Sequence, residues 1–263
     1  MQVSTIYLQE IVLYAKFKTL ISVIVNMVSQ VTTPNAEIIY PDSDGKPMAD
    51  NTKQFRWIVT IKENLELIFA NQPDVFVAGD LLWYPVEGSR ATCQAPDVMV
   101  VFGQPKGDRG SYKQWTEANI NPQVVFEILS PGNRLGEMAK KFQFYDRYGV
   151  EEYYIYDADD VDLTGWQRLD DKLEVIEEMN GWVSPRLGVR FATSSGNLEI
   201  FKADGEKFLS FVEIDSLRKQ ERLRAEQERL RADEAVTQLE AQKKRNEALA
   251  TKLREMGIDP EVI

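Results

Sequence analysis

From Pro122 to Asp157 the chain reads as strand, helix and strand in close order: "QVVFEILS", a helical stretch from Arg134 to Tyr148, then "EEYYIYD". Two strands joined through a helix cannot close as a tight hairpin, and a crossover of that length suits a parallel pair. Further β-rich runs, "VFVAGDLLWYPV", "PDVMVVFG", "KLEVIEE" and "LGVRFA", are separated by Gly, Pro and Asp. Ahead of them, "DNTKQFRWIVTIKENLELIFANQPD" has a capping candidate at Asp50 or Asn51, apolar residues at Phe55, Ile58, Val59, Leu65 and Phe69, and a stop at Pro73. That is an amphipathic helix. The expected fold class is α+β with an α/β-like core, a mixed sheet containing at least one parallel pair and flanked by helices.

Three regions are expected in the 263 residues. Residues 1–26 form an N-terminal extension whose apolar run "LISVIVNMV" is too short to span a bilayer; Met27 reads as an alternative start, and a short interfacial helix is the other option. Residues 27–206 form the α+β body. Residues 207–263 form a charged heptad helix, with "ERLRAEQ" followed by "ERLRADE", Leu223 and Leu230 seven apart, and Leu239, Asn246 and Leu253 keeping the period in a shifted phase. A solvated single helix fits the same pattern; a self-associating coiled coil makes the chain a homodimer through body and tail.

There is no histidine. Ser/His/Asp and Cys/His nucleophiles and imidazole metal sites are therefore excluded, and any chemistry falls to carboxylates, lysine, tyrosine and backbone. One cysteine, Cys93, makes no internal disulfide, which suits a reducing, cytoplasmic compartment and a structural thiol. Between Lys207 and Glu255 there are 12 basic and 10 acidic residues, leaving 19 basic and 32 acidic elsewhere, so the body carries the negative charge. Such a body needs a basic groove or a bound dication to meet DNA.

The carboxylates then stand out. In "PDVMVVFG", Asp97 shares a strand face with Met99 and Val101; in "QVVFEILS", Glu127 shares one with Val125 and Leu129. A charge in the middle of a buried strand needs a partner. Asp97 and Glu127 could share a hard cation such as Mg²⁺; equally, Asp97 could cap a turn and Glu127 pair with a basic side chain. On the following helix, with Met138 at 0°, Tyr145 falls at about 340° and Lys141 at about 300°, on the apolar stripe, while Lys140 at about 200° faces water. Lys141 is thus placed to meet Glu127, as a salt-bridge partner or to stabilise charge on a phosphate.

In order, "PDVMVV", "VVFEILSPGNR" and "KFQFY…YGVEEYYIYD" resemble the Uma-type family of restriction endonucleases, expanded in photosynthetic bacteria and placed in the PD-(D/E)xK nuclease superfamily. The resemblance covers roughly Pro41 to Phe208. It implies a restriction-endonuclease-like core, DNA as substrate, and Mg²⁺ or Mn²⁺ held by Asp97 and Glu127. The superfamily pattern puts a lysine two residues after the second acid; here Leu129 stands there, and the family position for a lysine supplied by the next helix is Lys141. Asp80 is a weaker candidate for a further acid, and Glu63 and Glu66 weaker still. The resulting expectation is a Mg-dependent endodeoxyribonuclease with Asp97, Glu127 and Lys141 as its catalytic residues. Its rival is a nuclease fold that has lost catalysis and acts as an interaction module through the tail. A glycosidase-like carboxylate pair fits neither the strand order nor the resemblance. The loop 103–122, with Lys106, Arg109, Lys113, Tyr112 and Trp115, is either a substrate contact or simply exposed.

Overall fold

The computed structural model describes residues 16–21, 38–45, 47–193 and 196–257. Apart from 16–21, the N-terminal extension expected over 1–26, with the alternative start at Met27, lies outside the described residues.

Helix α1 (Thr52–Ile68) starts where Asn51 accepts the backbone N–H groups of Lys53 and Gln54 at 2.9 and 2.8 Å. Its buried stripe runs Gln54, Ile58, Ile61, Leu65, whereas Phe55 and Val59 point outward, half and a third exposed. Of the expected stripe, Ile58, Leu65 and Phe69 are buried, while Gln54 and Ile61 take the inner places expected of Phe55 and Val59. Strands β1 (Val75–Gly79) and β2 (Trp83–Tyr84) split the single run expected there, since Asp80 adopts a left-handed φ of 49° that ends the first strand. Next come β3 (Val98–Phe102), β4 (Tyr112–Lys113), β5 (Val124–Leu129), α2 (Leu135–Arg147), β6 (Glu152–Asp157), β7 (Asp162–Leu169), β8 (Lys172–Val175), β9 (Arg190–Ala192), β10 (Glu199–Phe201) and α3 (Phe211–Glu255).

The main sheet has the order β1-β3-β5-β6-β7-β8 and is antiparallel except where β5 runs parallel to β6 across the α2 crossover. Strand alternation gives each face its own core. One buries Val77, Val98, Val100, Val124, Phe126 and Tyr154 under α1 and the β9–β10 pair; the other buries Phe76, Met99, Val101, Val125 and Tyr153 under α2 through Tyr145. Glu127 shares its face with Val125 and so projects toward α2.

Strand β7 has no strong alternating signal because Gly165 interrupts it, and the packing explains the glycine. A Cβ there would lie 2.7 Å from Met179 Sδ and 3.0 Å from both Ile176 Cδ1 and Tyr154 Cδ1. Gly165→Ala is expected to destabilise the body by about 1–3 kcal/mol through overpacking, measured by denaturant unfolding; an unchanged midpoint would contradict this packing.

The tail helix α3 spans 45 residues with none buried, about 68 Å at 1.5 Å per residue. Its start is capped at Ser210 and Glu213, whose side chain and backbone groups bond reciprocally.

Candidate active site

The site forms where β3 and β5 part. Their ladder ends at Val98 opposite Phe126, and the next residue on β5 to face β3 is Ile128. Opposite it stands Pro96, which has no N–H to donate, and whose carbonyl already accepts from Asp80 N–H at 3.1 Å. Side chains therefore replace the missing ladder bonds. Asp97 Oδ2 accepts the Ile128 N–H at 2.6 Å, and Gln54 Nε2 donates to the Ile128 carbonyl at 2.8 Å. Ile128, next to Glu127, is thus held by its N–H from the β3 side and by its carbonyl from α1.

Glu127 is 2 % exposed. Lys141 Nζ donates to its Oε2 at 2.6 Å and the Tyr145 hydroxyl to its Oε1 at 2.5 Å. Both donors come from α2, one turn apart on one face, as the helical phase expected of Lys141. Lys140 is exposed, although it lines the outer wall of the same cleft. That cleft, about 470 Å³, is bounded chiefly by Asp44, Asp50, Asp80, Asp97, Lys140 and Lys141.

Asp80 and Asp97 line the cleft, and Glu127 is buried beside Lys141, outside the lining. Burial, and then the neighbouring Glu127 charge, push the Asp97 carboxyl up to about 8, against the opposing pull of the Ile128 N–H and Lys141. Asp80 is raised by burial and by Asp44, with Glu127 adding to it and Lys141 opposing. Burial pulls the Lys141 ammonium down, but the charge and hydrogen bond of Glu127 outweigh it, so the net shift is upward and the group stays charged.

Asp97, Glu127 and Lys141 thus come together, with Asp80 at their edge. Glu63 and Glu66 do not join them: they pair with Lys62 and Lys106 at 3.0 and 3.1 Å. In the loop 103–122, Arg109 is held by Glu117 at 2.7 Å and lies 4.0 Å over the Phe76 ring, while Tyr112 is fully buried. Those side chains are spent on the fold. Sequence reasoning missed the roles of Gln54 and of the Tyr145 hydroxyl. The first was signalled by a polar residue at the spacing of Ile58, Ile61 and Leu65, the second by a tyrosine four residues after Lys141. It also passed over Glu152, an equally buried acid that takes only neutral donors from Tyr154, Ser184 and the Arg186 N–H. A buried carboxylate alone therefore marks no site.

Among the described residues, no three Asp, Glu or Cys side chains stand close enough to hold a metal between them. The oxygen donor set nevertheless fits magnesium, which is ordinarily bound by one or two carboxylates and keeps several waters.

A family model, Uma2, described as "Putative restriction endonuclease", matches residues 36–194, more than half of the chain. The chain belongs to the Uma2 family. The match takes in every strand from β1 to β9 and helices α1 and α2, and stops short of β10 and α3. A solved structure from Anabaena variabilis ATCC 29413, described as a "putative nuclease belonging to DUF820", is 16% identical, with a TM-score of 0.43 over 57% of this chain and 82% of its own. No curated protein matches the sequence.

Proposed function

We propose that this Uma2 protein hydrolyses phosphodiester bonds of DNA with Mg²⁺ or Mn²⁺ held by Asp97 and Glu127. The observation that supports this reading is that Asp97, just before β3, and Lys141 from α2 line one cleft, with Lys141 Nζ 2.6 Å from the buried Glu127 of β5. When bound, the cation supplies Lewis acidity toward a phosphate oxygen and lowers the pKa of a ligated water. Lys141, kept as an ammonium by Glu127, offsets charge on the phosphate and does not act as a base. Asp97 holds the 127–128 peptide by the Ile128 N–H and Gln54 the next one by the Ile128 carbonyl, which together fix the backbone that carries Glu127. The test is cleavage of supercoiled, linear and single-stranded DNA with Mg²⁺ or Mn²⁺: activity in the wild type that is lost in Asp97→Asn supports the reading, and cleavage indifferent to Asp97 or to the metal refutes it.

A second reading, an interaction module without catalysis, is favoured by one observation: both Glu127 oxygens are already satisfied within the protein. Under either reading we infer a cytoplasmic homodimer that uses α3. Among the described residues no helix is long and apolar enough to cross a membrane. Deleting 216–263 is expected to leave the body folded, because α3 buries nothing and the Leu209 carbonyl that precedes it stays bonded to Asn64 at 2.9 Å. Light scattering should then report a lower mass; an unchanged mass would put the dimer contact in the body.

A further inference from the structure

The two donors to Glu127 differ in freedom. Lys141 carries its charge on a flexible stem, 23% exposed, at the cleft wall. Tyr145 has no exposure, and its ring is wedged against Trp83, Phe144 and Tyr153 at centroid distances of 6.4, 5.7 and 5.0 Å. An ammonium at a cleft wall can exchange one oxygen partner for another, whereas a phenol packed among rings cannot leave its place. We propose that Tyr145 is a positioning residue: its hydroxyl pins Glu127 Oε1 so that the carboxylate keeps its direction while Lys141 passes from Oε2 to a phosphate of the substrate. This rests on the nuclease reading above, since only that reading gives Lys141 a second partner. The same aromatic cluster holds a natural control. Tyr153 is equally buried, but its hydroxyl is the one buried side-chain polar atom without a hydrogen-bond partner among the described residues. Removing it should disturb packing as little as removing the Tyr145 hydroxyl and should leave Glu127 untouched.

The experiment is titration of the full chain with Mn²⁺, reading the free ion by electron paramagnetic resonance, for wild type, Tyr145→Phe and Tyr153→Phe. Loss of an outer partner to a metal-binding carboxylate typically weakens affinity about 10–100-fold, and that loss is expected for Tyr145→Phe, with Tyr153→Phe unchanged. A Tyr145→Phe protein that binds Mn²⁺ as tightly as wild type, or a Tyr153→Phe protein weakened by the same factor, overturns the proposal. A wild type that binds no Mn²⁺ brings down the nuclease reading and the proposal with it, a result distinct from either of those. Should Tyr145→Phe not fold, the cause must be the stranded carboxylate, so Tyr145→Phe/Glu127→Gln must recover the helical circular dichroism signal. A double variant as unfolded as the single one also overturns it.

Discussion

Saturating Mg²⁺ or Mn²⁺ is expected to raise the melting temperature of the wild-type protein, and Glu127→Gln to remove that rise. At a hundredfold excess over the dissociation constant, binding to the folded state alone contributes about 2.7 kcal/mol, or roughly 5–10 °C for a domain of this size. Glutamine matches the volume of Glu127 but carries no charge, so one ligand to the cation is lost while the carboxamide still meets Lys141 and Tyr145. In the metal-free protein the substitution also frees Asp97 from a like charge, and the change in melting temperature should be smaller than the shift it abolishes. A pH series checks the electrostatics independently. Because the Asp97 carboxyl is raised from 3.8 to about 8 on folding, the folded state binds the extra proton between those values. Its contribution to stability is complete below about pH 4 and is lost as pH rises through 8, by at most about 1.4 kcal/mol per pH unit. Glu127→Gln should shorten that pH window from its upper end, burial keeping part of the shift. A wild type with no metal-dependent shift, or a Glu127→Gln protein that retains it in full, would make the carboxylates structural and leave the interaction-module reading standing.

Lys141→Ala should lower DNA cleavage by about 10²–10³-fold, the usual loss on removing one charge-stabilising donor, whereas Lys140→Ala should stay within a few-fold of wild type. The two lysines are chain neighbours, yet only Lys141 reaches Glu127; Lys140 stands at the exposed outer wall of the cleft. Lys141→Ala also leaves a nearly buried carboxylate with one donor in place of two. A stability loss of about 1–3 kcal/mol is therefore expected at neutral pH, limited because the vacated position opens to water. Steady-state cleavage and urea unfolding on both variants decide the matter. Equal effects on cleavage would mean that general positive charge at the cleft matters and that the ion pair with Glu127 does not.

Strand and helix order were legible because they rest on local periodicity. Alternation puts Asp97 on a face with Met99 and Val101 and Glu127 on a face with Val125 and Leu129, and a helix between two strands favours a parallel pair, but that the two acids lie on the same face of the sheet follows only from the β3–β5 register. Lys141 was legible for the same reason, since 100° per residue separates it from Lys140 whatever the helix packs against. Those local rules ran out at residues whose role is set by what lies across the sheet. Phe55 and Gln54 are adjacent on α1, and the more hydrophobic of the two is the natural choice for the core. The polar one is buried where the β3–β5 ladder has ended and its amide donates to the Ile128 carbonyl, a partner far along the chain. Likewise, periodicity put Tyr145 on the inner face but could not give its hydroxyl a partner, and nothing in "DLTGWQRL" shows that Gly165 is a strand residue pressed by Met179, Ile176 and Tyr154. Local sequence sets which face a side chain takes; the partner it meets there depends on strand order and on the approach of segments distant in sequence, which exists only once the chain has folded.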